Sequence, residues 1–292
     1  MQPEAKLETA AEPMPAPLPA RFEPIALLSR ARTYEVWDAW DPERACRAVL
    51  KAVRADRGED ASATARLLAE GELLERLRHP HIVGAYETVA GPPAAIVMET
   101  LGGATLAQII DEEEPLEAGE IAHLALHLVS AVAYMHRNDR LHLDLKPSNV
   151  IAEAGRARLI DLGLAGPPGR VAPGLGTWSY LAPEQVGGEE VGTAADVWGL
   201  GAVMFECVCG FPPFDDPAHE SGSASDRYPQ LERAPRPVAA VRPTDPALAE
   251  LIAACLTAEA ERRPDLAELA AELEALAGLE PGERRVSRSV RA

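Results

Sequence analysis

Cysteine is scarce in this chain, four residues in 292, and the spacings of Cys46, Cys207, Cys209 and Cys255 build neither a disulfide framework nor a zinc cluster. Cys207 and Cys209 stand two apart in an apolar stretch of helical character, where their side chains point about 200° from one another, a poor chelating geometry. All four read as small core or strand residues in a reducing compartment. Basic charge is short as well. Lys and Arg number 28 against 46 Asp and Glu, a net charge of −18, which argues against nucleic acid as a partner, since phosphate backbones demand clustered cations. A cationic substrate remains compatible. Long apolar runs are missing: residues 198–211 form the longest candidate and Glu206 interrupts them, so no stretch approaches the roughly 20 residues of a membrane span. With no amino-terminal signal pattern either, the expectation is a cytoplasmic protein without membrane contact. His123 and His127 stand four apart but lack an acidic or Cys third ligand close by, so they read as a solvated helix face rather than a metal site.

What is present is a chain that is 47% hydrophobic, enough to bury a substantial core in two lobes. Residues 1–21 are rich in Pro and Ala, with Pro13, Pro15, Pro17 and Pro19 at alternate positions, and read as a disordered tail. Short strands are predicted over 22–54 and 82–99, separated by a helix over 64–77 whose Leu67, Leu68, Leu73, Leu74 and Leu77 mark one apolar face. From Leu106 onward helices dominate. Ile121, Leu124, Leu128, Val132 and Met135 mark one stripe, and Leu248, Leu251, Ile252 and Cys255 another. The run of acidic residues at 111–114 reads as a solvated helix end.

The most informative stretch is His142-Leu143-Asp144-Leu145-Lys146-Pro147-Ser148-Asn149, followed by Asp161-Leu162-Gly163. Apolar flanks, Leu141 and Val150-Ile151 on the first piece and Leu159-Ile160 before the second, predict loops springing from short buried strands. A hairpin between them would bring Asp144, Lys146, Asn149 and Asp161 to one face. Two carboxylates, an amide and an ammonium suit phosphoryl transfer: hard oxygens hold Mg²⁺, a cation meets the moving phosphate, and a carboxylate accepts the hydroxyl proton.

These segments resemble the H-R-D-x-x-x-x-N and D-F-G signatures of eukaryotic-type serine/threonine protein kinases, with Leu143 in place of Arg and Leu162 in place of Phe. Downstream, Gly176-Thr177-Trp178-Ser179-Tyr180-Leu181-Ala182-Pro183-Glu184 resembles the close of that family's activation segment. Asp196-Val197-Trp198-Gly199-Leu200-Gly201 resembles the start of its central helix, whose Asp braces the catalytic loop. Arg263 matches the partner of Glu184. The resemblance covers residues 22–277 and implies an α+β, bilobal fold: a β-rich lobe over 22–100 with one key helix, a mainly helical lobe over 101–277, and a basic flexible tail over 278–292. It implies ATP and Mg²⁺ as cosubstrate and metal, protein Ser or Thr as acceptor, Asp144 as the group that orients the hydroxyl, Lys146 on the transferring phosphate, and Asn149 and Asp161 on the metal.

Upstream, Ala48-Val49-Leu50-Lys51 resembles the family's V-A-I-K, and Glu70 nineteen positions later resembles the helix Glu that pairs with its Lys; Glu72 is the neighbouring candidate on a different helix face. The stretch Ile96-Val97-Met98-Glu99-Thr100-Leu101 resembles the hinge, which implies adenine against the backbone of Glu99 and Leu101, Met98 at the inner pocket and Val36 over the ring.

The departures are as informative as the matches. Ser29-Arg30-Ala31-Arg32-Thr33-Tyr34-Glu35 stands where the family has its glycine-rich loop and contains no glycine. Arg30 and Arg32 read as solvated turn residues, with a phosphate-binding role as the second reading. Leu143 cannot bind an activation-loop phosphate, and residues 164–175 contain no hydroxyl to carry one, so phosphorylation there is not the expected switch. Glu206 matches an acidic residue that reads substrate Arg in some relatives. Residues 281–292 hold four Arg against one Glu, making Ser287 and Ser289 candidates for autophosphorylation against an ordinary solvated tail. A scaffold with the kinase fold but no catalysis is the alternative function.

Overall fold

The computed structural model describes residues 18–57, 60–91, 93–112, 116–215 and 228–279. These fall into two units, one holding the described residues up to Glu75 with Ala85–Thr100, the other Arg76–Gly84 with those from Leu101 onward. Most of the tail predicted over 1–21, both candidate tail serines Ser287 and Ser289, and the end of the acidic run at 113–114 lie outside the described residues.

The first unit is built on an antiparallel sheet of β1 (Glu23–Arg30), β2 (Tyr34–Asp41), β3 (Cys46–Val53), β4 (Ala85–Val89) and β5 (Ala95–Glu99), in the order β1-β2-β3-β5-β4. Side chains alternate across a strand. Ala48, Leu50 and Ala52 of β3 therefore enter one apolar cluster with Phe22, Ala39, Ala95 and Val97, while Val49, Lys51 and Val53 take the opposite face. Helix α1 (Ala61–Arg76) buries Ala63, Leu67, Glu70, Gly71 and Leu74 at helical spacing. It begins three residues before the predicted start because Asp60 Oδ1 accepts from the N–H groups of Ser62 and Ala63 at 3.1 and 3.0 Å, an N-cap that small Ala and Ser residues do not announce as apolar periodicity.

Strand β2 carries acidic side chains at buried positions. It buries Glu35, Asp38 and Asp41, each held by arginine. Asp38 takes a two-toothed contact from Arg47 at 3.0 and 2.5 Å. Asp41 meets Arg44 at 2.7 Å and Arg21, and both arginines also meet Glu87. Burial works against the Asp41 carboxylate, yet the Arg44 side chain and the N–H groups of Arg44 and Glu43 hold its pKa below the usual value.

In the second unit the hairpin predicted between the two signature segments is present. Strand β7 (Val150–Glu153) pairs antiparallel with β8 (Arg156–Leu159), with β6 (Ala104–Thr105) on its other side. Residues 76–84 belong here rather than in the predicted 22–100 lobe, because Leu159 N–H donates to His81 O at 2.9 Å and Val83 N–H donates to Leu159 O at 2.8 Å. The helices are α2 (Leu106–Glu112), α3 (Ala118–His136), α4 (Pro183–Gly187), α5 (Thr193–Cys209), α6 (Val238–Val241), α7 (Pro246–Cys255) and α8 (Leu266–Leu276), with short strands β9 (Gly169–Arg170) and β10 (Glu190–Val191). Helix α5 is buried from Ala195 to Val208, and Gly201 permits its approach to α7, since a Cβ there would lie 2.5 Å from Cys255 Cβ.

Two expectations are corrected here. Helix α3, with 19 residues, is long and apolar enough to cross a membrane by length and composition, which counting uninterrupted apolar runs missed because Glu120, Ser130 and three histidines punctuate it. It packs against α5, α8 and β8, burying Ile121, Leu128, Val132 and Met135 while Leu124 is half-buried.

His127 on that helix is half-buried rather than on a solvated face. Its ring stacks on His81 at 4.2 Å, and the two imidazoles bracket one residue of β8. His81 Nδ1 lies 2.9 Å from Ala157 O, and Ala157 N–H donates to His127 Nδ1 at 3.3 Å. That acceptor exists only on a neutral ring. Burial, then the neighbouring His81, His123 and Arg156, lowers the His127 pKa from 6.5 to about 4. An unfolded chain binds this proton near pH 6.5 and the folded one does not, so the contribution is full above that pH and is lost as pH falls towards 4. Discounted for the ring's partial exposure, the loss is about 1–2 kcal/mol. Thermal unfolding at pH 7 and pH 5 measures it: His127→Asn, whose amide oxygen can replace Nδ1, narrows the difference between the two pH values.

Candidate active site

Lys51 is presented from β3 towards α1 and is almost fully buried. Its Nζ donates to both carboxylate oxygens of Glu70, at 2.9 and 2.8 Å, and Glu70 rather than Glu72 is the buried acid of that helix. Such a pair holds an ammonium at a fixed place in an environment where an unpaired charge is costly. Val36 stands opposite Lys51 across the β2–β3 ladder, and Met98 stands opposite Val49 across β3–β5, so strand alternation puts Val36, Lys51 and Met98 on one face of the sheet. Glu99 closes β5 opposite Ala48, and Leu101 follows in irregular chain.

In the second unit the loop after Leu141 is suspended from Asp196 of α5. The N–H groups of His142 and Leu143 donate to its two carboxylate oxygens at 2.8 and 2.9 Å, and His136 Nε2 lies 2.7 Å from one of them. This support lets the buried Leu143 keep a left-handed φ of 65°, a conformation a leucine adopts only when its surroundings impose it. His142 is buried; its Nδ1 accepts from Asp144 N–H at 3.3 Å, and burial lowers its pKa, so the ring is neutral.

Three side chains then close a polar triangle. Lys146 Nζ lies 2.8 Å from Asp144 Oδ2 and donates to Thr177 Oγ1 at 2.7 Å, while Thr177 donates to Asp144 Oδ1 through Oγ1 at 2.7 Å and through its N–H at 3.0 Å. Asn149 Nδ2 donates to Asp144 O at 2.9 Å and to Oδ2 at 3.1 Å. This commits the amide nitrogen and leaves its oxygen as an acceptor. Asp161 follows β8; the chain before it is tied to Asn149 by Ile160 N–H on Asn149 O at 3.1 Å, and Asp161 Oδ1 accepts from Gly163 N–H at 2.8 Å. Asn149 and Asp161 thus offer hard oxygen donors, a set that suits Mg²⁺, which is commonly bound by one or two protein oxygens with phosphates completing its shell. Among the described residues no group of three or more His, Cys, Asp or Glu forms a self-sufficient metal cage.

The segment after Asp161 is anchored by hydrogen bonds within the chain. The Gln185 amide supplies the contacts: Nε2 donates to Leu143 O at 2.9 Å and to Leu175 O at 3.1 Å, and Oε1 accepts from Ala182 N–H at 3.2 Å. Gly174 N–H donates to Gln185 O at 2.9 Å, and β9 pairs with β10. Gly176, at φ 128°, passes so close to Leu143 that a Cβ would lie 3.0 Å from its carbonyl oxygen, which only glycine tolerates. Glu184 pairs with Arg263 at 2.6 and 2.9 Å, and both are buried.

Two sequence readings change. Glu206 is buried and accepts from Tyr180 O–H at 2.6 Å; burial raises its carboxyl to about 6 against the lowering effect of that hydroxyl, so it is engaged inside the fold rather than presented to a substrate arginine. Arg30 is exposed, as expected, but it ends β1 rather than sitting in a turn, and it is paired. Its Nε donates to the buried Glu35 at 2.6 Å, and Glu35 also accepts from Trp37 Nε1 at 3.3 Å. Arg32 is exposed. Gln185 went unrecognised in the sequence because a glutamine carries no periodicity or charge signal; its place next to Ala182-Pro183-Glu184 was the only pointer.

The protein kinase domain family model matches residues 32–273. Among curated proteins the chain is similar to the serine/threonine-protein kinase PknB of Mycobacterium tuberculosis, 33% identical over 68% of this chain and 34% of that protein. It is also similar to a probable serine/threonine-protein kinase of Streptomyces coelicolor, 32% identical over 68% and 32%, and to PknB of Mycolicibacterium smegmatis, 30% identical over 75% and 39%. The chain therefore matches only about a third of the length of these relatives. With the Lys51–Glu70 pair, the Asp144–Lys146–Thr177 triangle and the Glu184–Arg263 pair all lying inside the matched residues, the chain belongs to the protein kinase family.

Proposed function

We propose that the chain is a serine/threonine protein kinase that moves the γ-phosphoryl group of ATP to the hydroxyl of a protein Ser or Thr. The observation that carries this reading is the closed triangle of Asp144, Lys146 and Thr177. It fixes a carboxylate and an ammonium side by side, one to accept from an incoming hydroxyl and one to meet charge on a phosphoryl group. Phosphoryl transfer asks the protein for this kind of positioning and electrostatic stabilisation more than for covalent chemistry. Asp144 orients the acceptor hydroxyl and takes its proton as the oxygen attacks; Lys146 neutralises charge on the transferring group.

Lys51, held by Glu70, binds the α- and β-phosphates, and the sheet face of Val36 and Met98 with the backbone at Glu99 and Leu101 receives adenine. Asn149 and Asp161 would hold Mg²⁺, which supplies charge neutralisation on the phosphates when bound. Incubation with Mg-ATP and a basic protein, followed by phosphoamino-acid analysis, tests the acceptor class. Label on Ser or Thr is the expected result, and label confined to Tyr or to small molecules overturns it.

Regulation follows from the anchored segment. The clamp by Gln185 does the ordering that a phosphate performs elsewhere through charge-assisted hydrogen bonds, and Leu143 leaves no arginine to receive one. Pretreatment with a broad phosphatase is expected to leave the initial rate within about twofold. A larger fall, restored by preincubation with Mg-ATP, would contradict it. None of the four cysteines forms a disulfide, which supports a reducing, cytoplasmic setting.

A further inference from the structure

The turn that stands in place of the glycine-rich loop is closed on itself. Ala31 N–H donates to Tyr34 O at 2.9 Å, Thr33 O accepts from Arg54 N–H at 3.0 Å, and Ala31 O accepts from the Arg54 guanidinium at 3.1 Å. Arg30 is committed to Glu35. Of the backbone N–H groups that a glycine loop would offer to phosphates, that of Ala31 is thus spent inside the hairpin. What the hairpin sends towards the nucleotide lysine is a side chain: the Tyr34 ring centroid lies 5.2 Å from Lys51 Nζ, and its hydroxyl donates to Ala63 O in the first turn of α1 at 3.1 Å. One residue therefore touches the ammonium through its π face and the helix that carries Glu70 through its hydroxyl.

We propose that Tyr34 is a positioning residue for nucleotide binding, a side-chain brace that holds Lys51 and α1 in register where the glycine-rich loop is absent. The ring attracts the ammonium electrostatically, and the O–H contact fixes the start of α1 relative to β2. The brace is built on a part of the chain where a glycine would supply neither contact. This inference rests on the reading of Lys51 as the phosphate-binding lysine, and its test separates the two.

Wild type, Tyr34→Phe and Tyr34→Leu, each as the 292-residue chain, are compared by two measurements. One is binding of a non-hydrolysable ATP analogue with Mg²⁺. The other, without nucleotide, is the rate at which an amine-reactive acylating reagent modifies Lys51, followed by peptide mass spectrometry across pH 7 to 10. Tyr34→Leu keeps apolar volume and loses both contacts; it is expected to weaken analogue binding by about tenfold and to speed Lys51 modification about fivefold or more, through loss of the cation–π contact and the hydroxyl anchor. Tyr34→Phe keeps the ring and is expected to fall between, nearer wild type for Lys51 reactivity. Equal analogue affinity and equal Lys51 reactivity in all three overturn the brace. Tighter binding in Tyr34→Leu also overturns it, since the ring would then be an obstruction. If wild type binds no analogue, the phosphate-binding reading of Lys51 fails, and Lys51 reactivity alone decides whether Tyr34 braces it.

Discussion

Asp144→Asn is expected to slow phosphoryl transfer by about 10²- to 10⁴-fold, the range that a positioned acid–base group contributes, with KM for ATP little changed. The geometry explains why the loss falls on the chemical step. Thr177 gives both its N–H and its Oγ1–H to Oδ1, and an amide oxygen can keep those two contacts. The amide nitrogen would then stand where Oδ2 meets Lys146 Nζ and Asn149 Nδ2, so three donors converge without an acceptor and no group remains to take the hydroxyl proton. Steady-state kinetics with a peptide containing a single Ser, beside thermal unfolding of the same samples, checks this. A variant that folds like wild type and keeps more than a tenth of its rate removes Asp144 from the role given to it.

The largest effect on stability is expected from Arg263→Ala. The guanidinium fills a closed set of acceptors: Glu184 through two nitrogens, and the carbonyls of Thr257, Ala258 and Ala194 at 2.8 to 2.9 Å. It also lies 5.0 Å above the Trp198 ring. Truncation leaves a buried carboxylate without its cation, a change that costs about 3–5 kcal/mol, against a whole stability of about 5–15 kcal/mol for a typical domain. Urea unfolding should show the midpoint falling steeply. Adding Glu184→Gln is expected to return part of the loss, because the orphaned charge is then gone, whereas losses that simply add would show that the two residues do not act as a pair.

The geometry of the candidate site was legible in the sequence where chemistry and spacing coincide. Asp144, Lys146 and Asn149 sit within six consecutive residues between apolar flanks, so a hairpin placing them with Asp161 could be foreseen, and the β7–β8 pairing is that hairpin. Lys51 stood out as one cation in an apolar strand, and Glu70 by its spacing, nineteen positions after Lys51 and nine before His79. The remainder depended on long-range partners that no local pattern records. Glu35, Asp38 and Asp41 look like surface acids until the arginines that cover them are placed. His127 looks like half of a solvated pair until β8 brings Ala157 against it. Helix α1 starts earlier than its leucines suggest because its cap is an aspartate, which has no hydrophobic period. Gln185 and Tyr34 became visible only when the fold set them against backbone carbonyls 42 and 29 positions away.

The central claim, that these residues form a working phosphotransfer site, is tested most directly by transfer of γ-labelled phosphate from Mg-ATP to a generic basic protein, with wild type, Lys51→Met and Asp144→Asn purified and assayed in parallel. Strong labelling by wild type and a loss of at least about 10²-fold in both variants is the predicted result. Equal labelling by all three would mean that the activity comes from elsewhere, and it would leave the chain as a scaffold with a kinase fold.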